Sequence, residues 1–244
     1  MDALRFAKAC EEAEQASPSG KGIGTLSEKT LHAVLKRYYE PHGDNHEVKI
    51  GGYVADIVGE HGIIEIQTRN FDRLRKKLAA FLPAARTTVV YPAVGLKWLC
   101  WVDKDTGEVT NRRKSPRKGG LYDVIPELYK IKAQLFHPNL QIAVPVIELT
   151  EYRYLDGWSG DRKKGSTRCE RIPQALMAEY RLSGREDYRQ FLPGTLPEGF
   201  DSAEFAKAAN IRRPLAQTTL LLLTLAEVVQ RVGKRKNAYV YRVL

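Results

Sequence analysis

The chain has 244 residues, with 39 Lys or Arg against 29 Asp or Glu and a formal net charge of +10. The length suits two domains and a sizeable core; the basic surplus favours a polyanionic partner through counterion release and says little about fold. No membrane span is expected, because the most apolar run, Leu220–Val229, is too short and too interrupted. There is no long internal repeat and no Gly-x-x-x-x-Gly-Lys-Ser/Thr nucleotide loop. Cys10, Cys100 and Cys169 are isolated, without metal-ligand spacing. Together with the absence of a signal-like N-terminus, they point to a reducing, cytoplasmic compartment.

Residues 1–24 contain a short amphipathic stretch and then Ser17-Pro-Ser-Gly-Lys-Gly-Ile-Gly24, read as a tail and linker. Ser27 is a plausible N-cap for a helix over 28–39, whose buried stripe is Leu31, Val34, Leu35 and Tyr38. Glu28 lies on that stripe in the first turn. It is either a solvated acid stabilised by the helix dipole or a group aimed into a site. His32 reads as a partly buried histidine, and His42 and His46, flanking a Gly-Asp-Asn turn, as loop residues rather than zinc ligands.

Strands follow over 47–51, 54–58 and 63–68, rich in β-branched residues, with Gly59-Glu60-His61-Gly62 as a hairpin loop. If Val58 pairs with Ile63, Asp56 faces Glu65, with Cβ atoms roughly 5 Å apart. Alternation then puts Asp56, Glu65 and Gln67 on one face and Ala55, Ile57, Ile64 and Ile66 on an apolar one. Two carboxylates held that close repel unless a cation or a shared proton intervenes. Magnesium or manganese suits them, because both take oxygen ligands.

A helix over 71–82, with Phe71, Leu74, Leu78 and Leu82 inward, and a strand over 87–94 complete an αβββαβ order. Over about residues 25 to 95 this resembles the PD-(D/E)XK, or restriction-endonuclease-like, nuclease superfamily. Its motif is an Asp on one strand, Glu-x-Lys on the next and often a Glu on the preceding helix; Asp56, Glu65 and Glu28 match. The resemblance implies a metal-dependent phosphodiesterase with Asp56, Glu65 and Glu28 around Mg²⁺ or Mn²⁺ and Gln67 orienting the attacking water. Gln67 stands where the family usually has Lys, and a neutral amide supplies no positive charge. Lys49, Arg69 and Arg73 are nearby in sequence as replacements, although Arg69 and Arg73 also suit a solvated helix face.

The basic residues are concentrated. Arg112, Arg113, Lys114, Arg117 and Lys118 follow an expected hairpin, 97–102 and 108–110, turning at Asp103–Gly107. Arg162, Lys163 and Lys164 follow a strand-like run over 143–154. Both segments mix cations with Gly and Ser, as phosphate contacts require. Trp98 reads as core, and Trp158 is the better base-stacking candidate. The C-terminal segment, 171–244, reads as helices over 173–182, 203–209 and 214–229 and then a hairpin with a basic tip at 233–237. This resembles a winged helix-turn-helix. The resemblance puts Arg212, Arg213, Gln217 and Thr218 near a DNA groove and Lys234, Arg235 and Lys236 on the wing.

The expected fold is therefore α/β: a nuclease-like domain over 25–170 and a small α+β winged-helix domain over 171–244. The expected function is metal-dependent DNA cleavage; the alternative is an inactive nuclease fold that binds DNA as a regulator or repair accessory. A homodimer stays open, and no membrane partner is expected.

Overall fold

A computed structural model describes residues 2–15, 29–109, 112–156 and 166–244. The elements are, in order, α1 (Ala3–Gln15), α2 (Lys29–Tyr39), β1 (His46–Ile50), β2 (Tyr53–Gly59), β3 (Gly62–Ile66), α3 (Leu74–Phe81), β4 (Thr87–Val90), β5 (Ala93–Val102), β6 (Arg113–Lys114), α4 (Ile125–Lys130), β7 (Leu140–Tyr154), β8 (Arg168–Leu182), α5 (Ser202–Ala208), α6 (Arg213–Leu225), β9 (Val229–Arg235) and β10 (Ala238–Val243). The class is mixed α/β, with parallel and antiparallel strand pairs and a separate two-stranded sheet, β9–β10. None of the described helices is long and apolar enough to cross a membrane. The chain divides into two compact units that interleave along the sequence: 1–60, 92–120 and 145–179 in the first, 61–91, 121–144 and 180–244 in the second.

In the first unit, α1 buries Phe6, Ala9, Cys10 and Ala13, a helical stripe. It packs on α2, whose Leu31, Val34, Leu35 and Tyr38 are buried as expected. The rings of Phe6 and Tyr38 meet edge to face at 5.4 Å, a favoured aromatic geometry. The amphipathic N-terminal stretch is thus packed, not trailing. β1 and β2 form an antiparallel hairpin, with Ile50 opposite Tyr53. Gly51 and Gly52, with φ of 53° and 83°, supply the two positive φ angles of a tight primed turn. β5 runs parallel to the second part of β7, from Ala93 opposite Val146 to Val102 opposite Tyr154, and antiparallel to β6.

In the second unit, β3, β4 and the start of β7 are parallel, with Glu65 opposite Val89 and Val89 opposite Ile142. All four residues of β4 are buried, the pattern of a strand covered on both faces. Gly62 begins β3 at a φ of +94°, and a Cβ there would stand 2.2 Å from the Arg86 carbonyl oxygen, so only glycine fits. α3 covers β3 and is preceded by a 3₁₀ turn, Phe71–Arg73, whose Phe71 amide donates to Glu127 at 2.8 Å. Toward the C-terminus, Asp201 and Glu204 form a reciprocal capping box at α5. Asn210, at a φ of 51°, turns the chain into α6. Phe200 and Tyr241 exchange backbone hydrogen bonds of 3.0 and 2.8 Å, which docks the β9–β10 hairpin on the α5 cap.

Several expectations are corrected. Residues 173–182 are not a helix but part of β8, which pairs with the long apolar β7. Their Ala, Leu, Met and Glu favour helix, and a strand partner overrides that weak preference. The C-terminal arrangement accordingly has two α-helices and a hairpin rather than three helices and a wing. The strand over 87–94 ends at Val90, and Val94 belongs to β5; Tyr91-Pro92 intervenes, and proline has no amide for a ladder. The helix over 71–82 is the 3₁₀ turn followed by the shorter α3. The Asp103–Gly107 turn is as read: Asp103 caps the Asp105 and Thr106 amides at 2.8 and 2.9 Å. The proposed Ser27 cap, the 17–24 linker and Trp158 lie outside the described residues.

Candidate functional site

β3 places Glu65 between Ile64 and Ile66, on the face opposite theirs. The residue is 2% exposed. Burying an ionised carboxylate demands a partner, and Lys77 on α3 is one: its Nζ donates to Oε2 at 2.8 Å and to Oε1 at 3.0 Å. Lys77 lies on the apolar stripe of α3, between Leu74 and Leu78, three residues after the one and one before the other. The helix therefore carries the ammonium inward. The sequence reading missed it, looking for the charge at Lys49, Arg69 and Arg73, which are all exposed. The available signal was a lysine within the hydrophobic stripe Leu74, Leu78 and Phe81.

Gln67 follows β3 and is half-buried. Its backbone amide extends the parallel pairing to the Val90 carbonyl at 2.9 Å, while its side-chain amide donates to the Arg69 carbonyl at 2.5 Å. Asp56 is half-buried in β2, beside buried Ala55 and Ile57. It belongs to the first unit and Glu65 to the second. Glu28 lies outside the described residues. Among the described residues, no group of three or more His, Cys, Asp or Glu side chains is arranged to hold a metal ion. By donor type, Glu65 suits magnesium or manganese as one hard-oxygen ligand.

The residues expected to contact DNA divide into two kinds. The cations Lys114, Arg117, Lys118, Arg212, Arg213, Lys234 and Lys236 and the neutral Gln217 are exposed. Arg112 and Arg113 are exposed but stacked, the first 4.3 Å over Trp98 and the second 4.5 Å over Trp101. Arg112 also donates to Gln174 at 2.5 Å. Trp98, read as core, is half-buried and donates to Glu148 at 2.7 Å. Thr218 is half-buried, with its hydroxyl donating back to the Pro214 carbonyl at 3.2 Å. Arg235 is exposed as well but engaged within the fold: it donates to both Glu204 oxygens at 3.1 and 3.2 Å and to the Gly199 carbonyl at 3.3 Å. It pins the hairpin to the α5 cap. Lys234 instead lies 5.0 Å over the Tyr239 ring. Arg162, Lys163 and Lys164 lie outside the described residues.

A protein of Treponema pallidum (strain Nichols), described only as uncharacterized, is 28% identical to this chain over 189 residues, which span 77% of this chain and 75% of the relative. No solved structure matches the chain. A family model described as a domain of unknown function, DUF8091, matches residues 29–183, more than half of the sequence and the part holding Asp56, Glu65, Gln67 and Lys77, and the chain belongs to that family.

Proposed function

We propose that the chain is a metal-dependent endonuclease acting on nucleic acid, with DNA the expected polymer. The observation that carries this reading is the buried Glu65 carboxylate clamped by the Lys77 ammonium. An acid able to ligate a metal ion beside an ammonium able to offset phosphate charge is a pairing that metal-dependent phosphodiester hydrolysis can use, and Lys77 would supply the charge that Gln67 lacks. In this reading Glu65, Asp56 and Glu28 would hold Mg²⁺ or Mn²⁺. Such an ion would supply a water of lowered pKa and polarise a phosphoryl oxygen. Lys77 fixes the orientation of Glu65 and offsets negative charge that develops on the phosphate. Gln67 orients the water through its amide. Exposed Arg212, Arg213 and Gln217 at the start of α6, with Lys234 and Lys236 on the hairpin, support backbone contacts.

A second reading is a nuclease-like fold that binds DNA without cutting it. Both readings share the Glu65–Lys77 pair and differ in whether a metal ion joins it. Calorimetric titration with manganese separates the two. The first reading predicts binding that Glu65→Gln removes; absence of binding by the wild-type chain overturns it in favour of the second.

A further inference from the structure

The β9–β10 hairpin leaves one backbone edge open. On the outer side of β10, Tyr241 gives both its N–H and its C=O to Phe200. It has neither left for Arg231, its partner across the hairpin, so Arg231 turns its own N–H and C=O to the outer side of β9. Alternation gives Val229, two residues earlier, the same orientation. Among the described residues no strand pairs with that side of β9, and residues 230–236 are all exposed.

Two features mark this edge. The first is an apolar groove of about 370 Å³ between α6 and the start of β9. Leu221 and Leu225, one helical turn apart, line it with Val229 and Leu244. Leu225 and Leu244 are 42% and 51% exposed. Val229, Gln230 and Arg231 are consecutive and alternate faces, yet all three line the groove. It therefore borders the strand instead of lying on one of its faces. Glu227, at the rim, is paired with Arg185 at 3.0 Å.

The second feature is charge. β9 carries Arg231, Lys234 and Arg235 and no acid. Arg235 is paired with Glu204. Arg231 and Lys234 lie over the exposed Tyr239 ring, at 4.3 and 5.0 Å, and neither has a carboxylate partner among the described residues. A neutral ring orders a cation without cancelling its charge.

An open edge is a template for a further strand, and these cations select which one. A second copy of β9 would set Arg231 and Lys234 against like charges, whereas an acidic strand meets them with carboxylates. Nucleic acid would use the cations but neither the backbone edge nor the apolar groove. We infer that the outer edge of β9 docks an extended, acidic segment of a partner protein. The segment hydrogen-bonds the Val229 and Arg231 backbone, sets carboxylates beside Arg231 and Lys234, and lodges an apolar side chain against Leu221 and Leu225. This goes beyond the proposed nuclease and needs neither metal nor Glu65.

The test is fluorescence anisotropy on the full chain in EDTA, with a labelled seven-residue peptide of alternating Glu and Val, the length of β9. The wild type should bind it saturably below about 1 mM. Arg231→Gln should weaken binding about tenfold, as loss of a charge-assisted hydrogen bond does. Leu225→Ala should weaken it by a similar factor through lost apolar contact. Circular dichroism with thermal unfolding confirms that each variant is folded. Two changes to the peptide need no variant: N-methylation of every backbone amide should abolish binding, and so should Lys in place of Glu. No saturable binding by the wild type would overturn the inference. So would undiminished binding of either altered peptide, or affinities unchanged in both folded variants. Oligonucleotide binding that depends on Arg231 but not on Leu225, without peptide binding, would give the edge to nucleic acid instead. Peptide binding in a chain that cleaves nothing would leave this inference standing and sink the endonuclease reading alone.

Discussion

The ammonium of Lys77 stands 2.8 and 3.0 Å from the two oxygens of Glu65, a residue 2% exposed on a strand buried between its neighbours. A carboxylate in that position cannot lose its cation cheaply. Lys77→Met is expected to lower stability by about 3 kcal/mol, through loss of the two charge-assisted hydrogen bonds to a buried carboxylate. Adding Glu65→Gln should restore much of the loss. Urea unfolding of the two single variants and the double variant measures the coupling.

Glu151 gives a pH-dependent signature. Burial alone would raise its carboxyl, but Arg171, Lys97 and Arg153 together hold it at about 2, below the ordinary 4.5. A depressed carboxyl stabilises fully above its unfolded pKa and loses that contribution as pH falls through the folded one. Stability should therefore drop between about pH 4.5 and about pH 2, by up to roughly 3 kcal/mol. Glu151→Gln should flatten this part of the curve while costing about 3–5 kcal/mol at neutral pH, because the cations then repel one another unopposed. Thermal unfolding across that range checks both.

Phe6 is fully buried and packs its ring on Tyr38. Phe6→Ala should cost about 3–5 kcal/mol, as large aromatic truncations in cores do. A trailing segment would show no change. Chemical denaturation is sufficient to tell them apart.

Arg235 and Lys234 are neighbours with different expected roles. Arg235→Ala should lower thermal stability by on the order of 1 kcal/mol by releasing Glu204 and the Gly199 carbonyl. Lys234→Ala should leave stability unchanged and weaken DNA binding with a smaller salt slope. Equal effects of the two on both readouts would contradict this division. Asp201→Ala, which removes the α5 capping box, should cost about 1 kcal/mol.

How much of this was legible in the sequence depends on whether the deciding forces were local. The α2 stripe of Leu31, Val34, Leu35 and Tyr38, the apolar positions Ala55, Ile57, Ile64 and Ile66, and the Asp103–Gly107 turn could be read, because periodicity and turn chemistry act within a few residues. Residues 173–182 could not. Their intrinsic preference is helical, and only the pairing of β8 with β7, brought from elsewhere in the chain, makes them a strand. Glu65 could be singled out as a strand carboxylate in need of a cation, but neither its burial nor its Lys77 partner could. Lys77 is twelve residues further on, on a helix whose inward face was read as wholly apolar. The Glu151 cluster was missed for the same reason: β5, β7 and β8 are distant in sequence, and each carries only one or two of its cations.

In the proposed function, Glu65 with Lys77 forms the working end of a phosphodiesterase. The most direct test is cleavage of linear and structured DNA and RNA with Mg²⁺ or Mn²⁺, comparing wild type with folded Glu65→Gln, Asp56→Asn and Lys77→Met variants. Nicking by wild type that falls at least about a hundredfold in each variant, with oligonucleotide binding retained, is the predicted result. Intact substrates across the whole panel with either metal, or cleavage that survives Glu65→Gln, would contradict it.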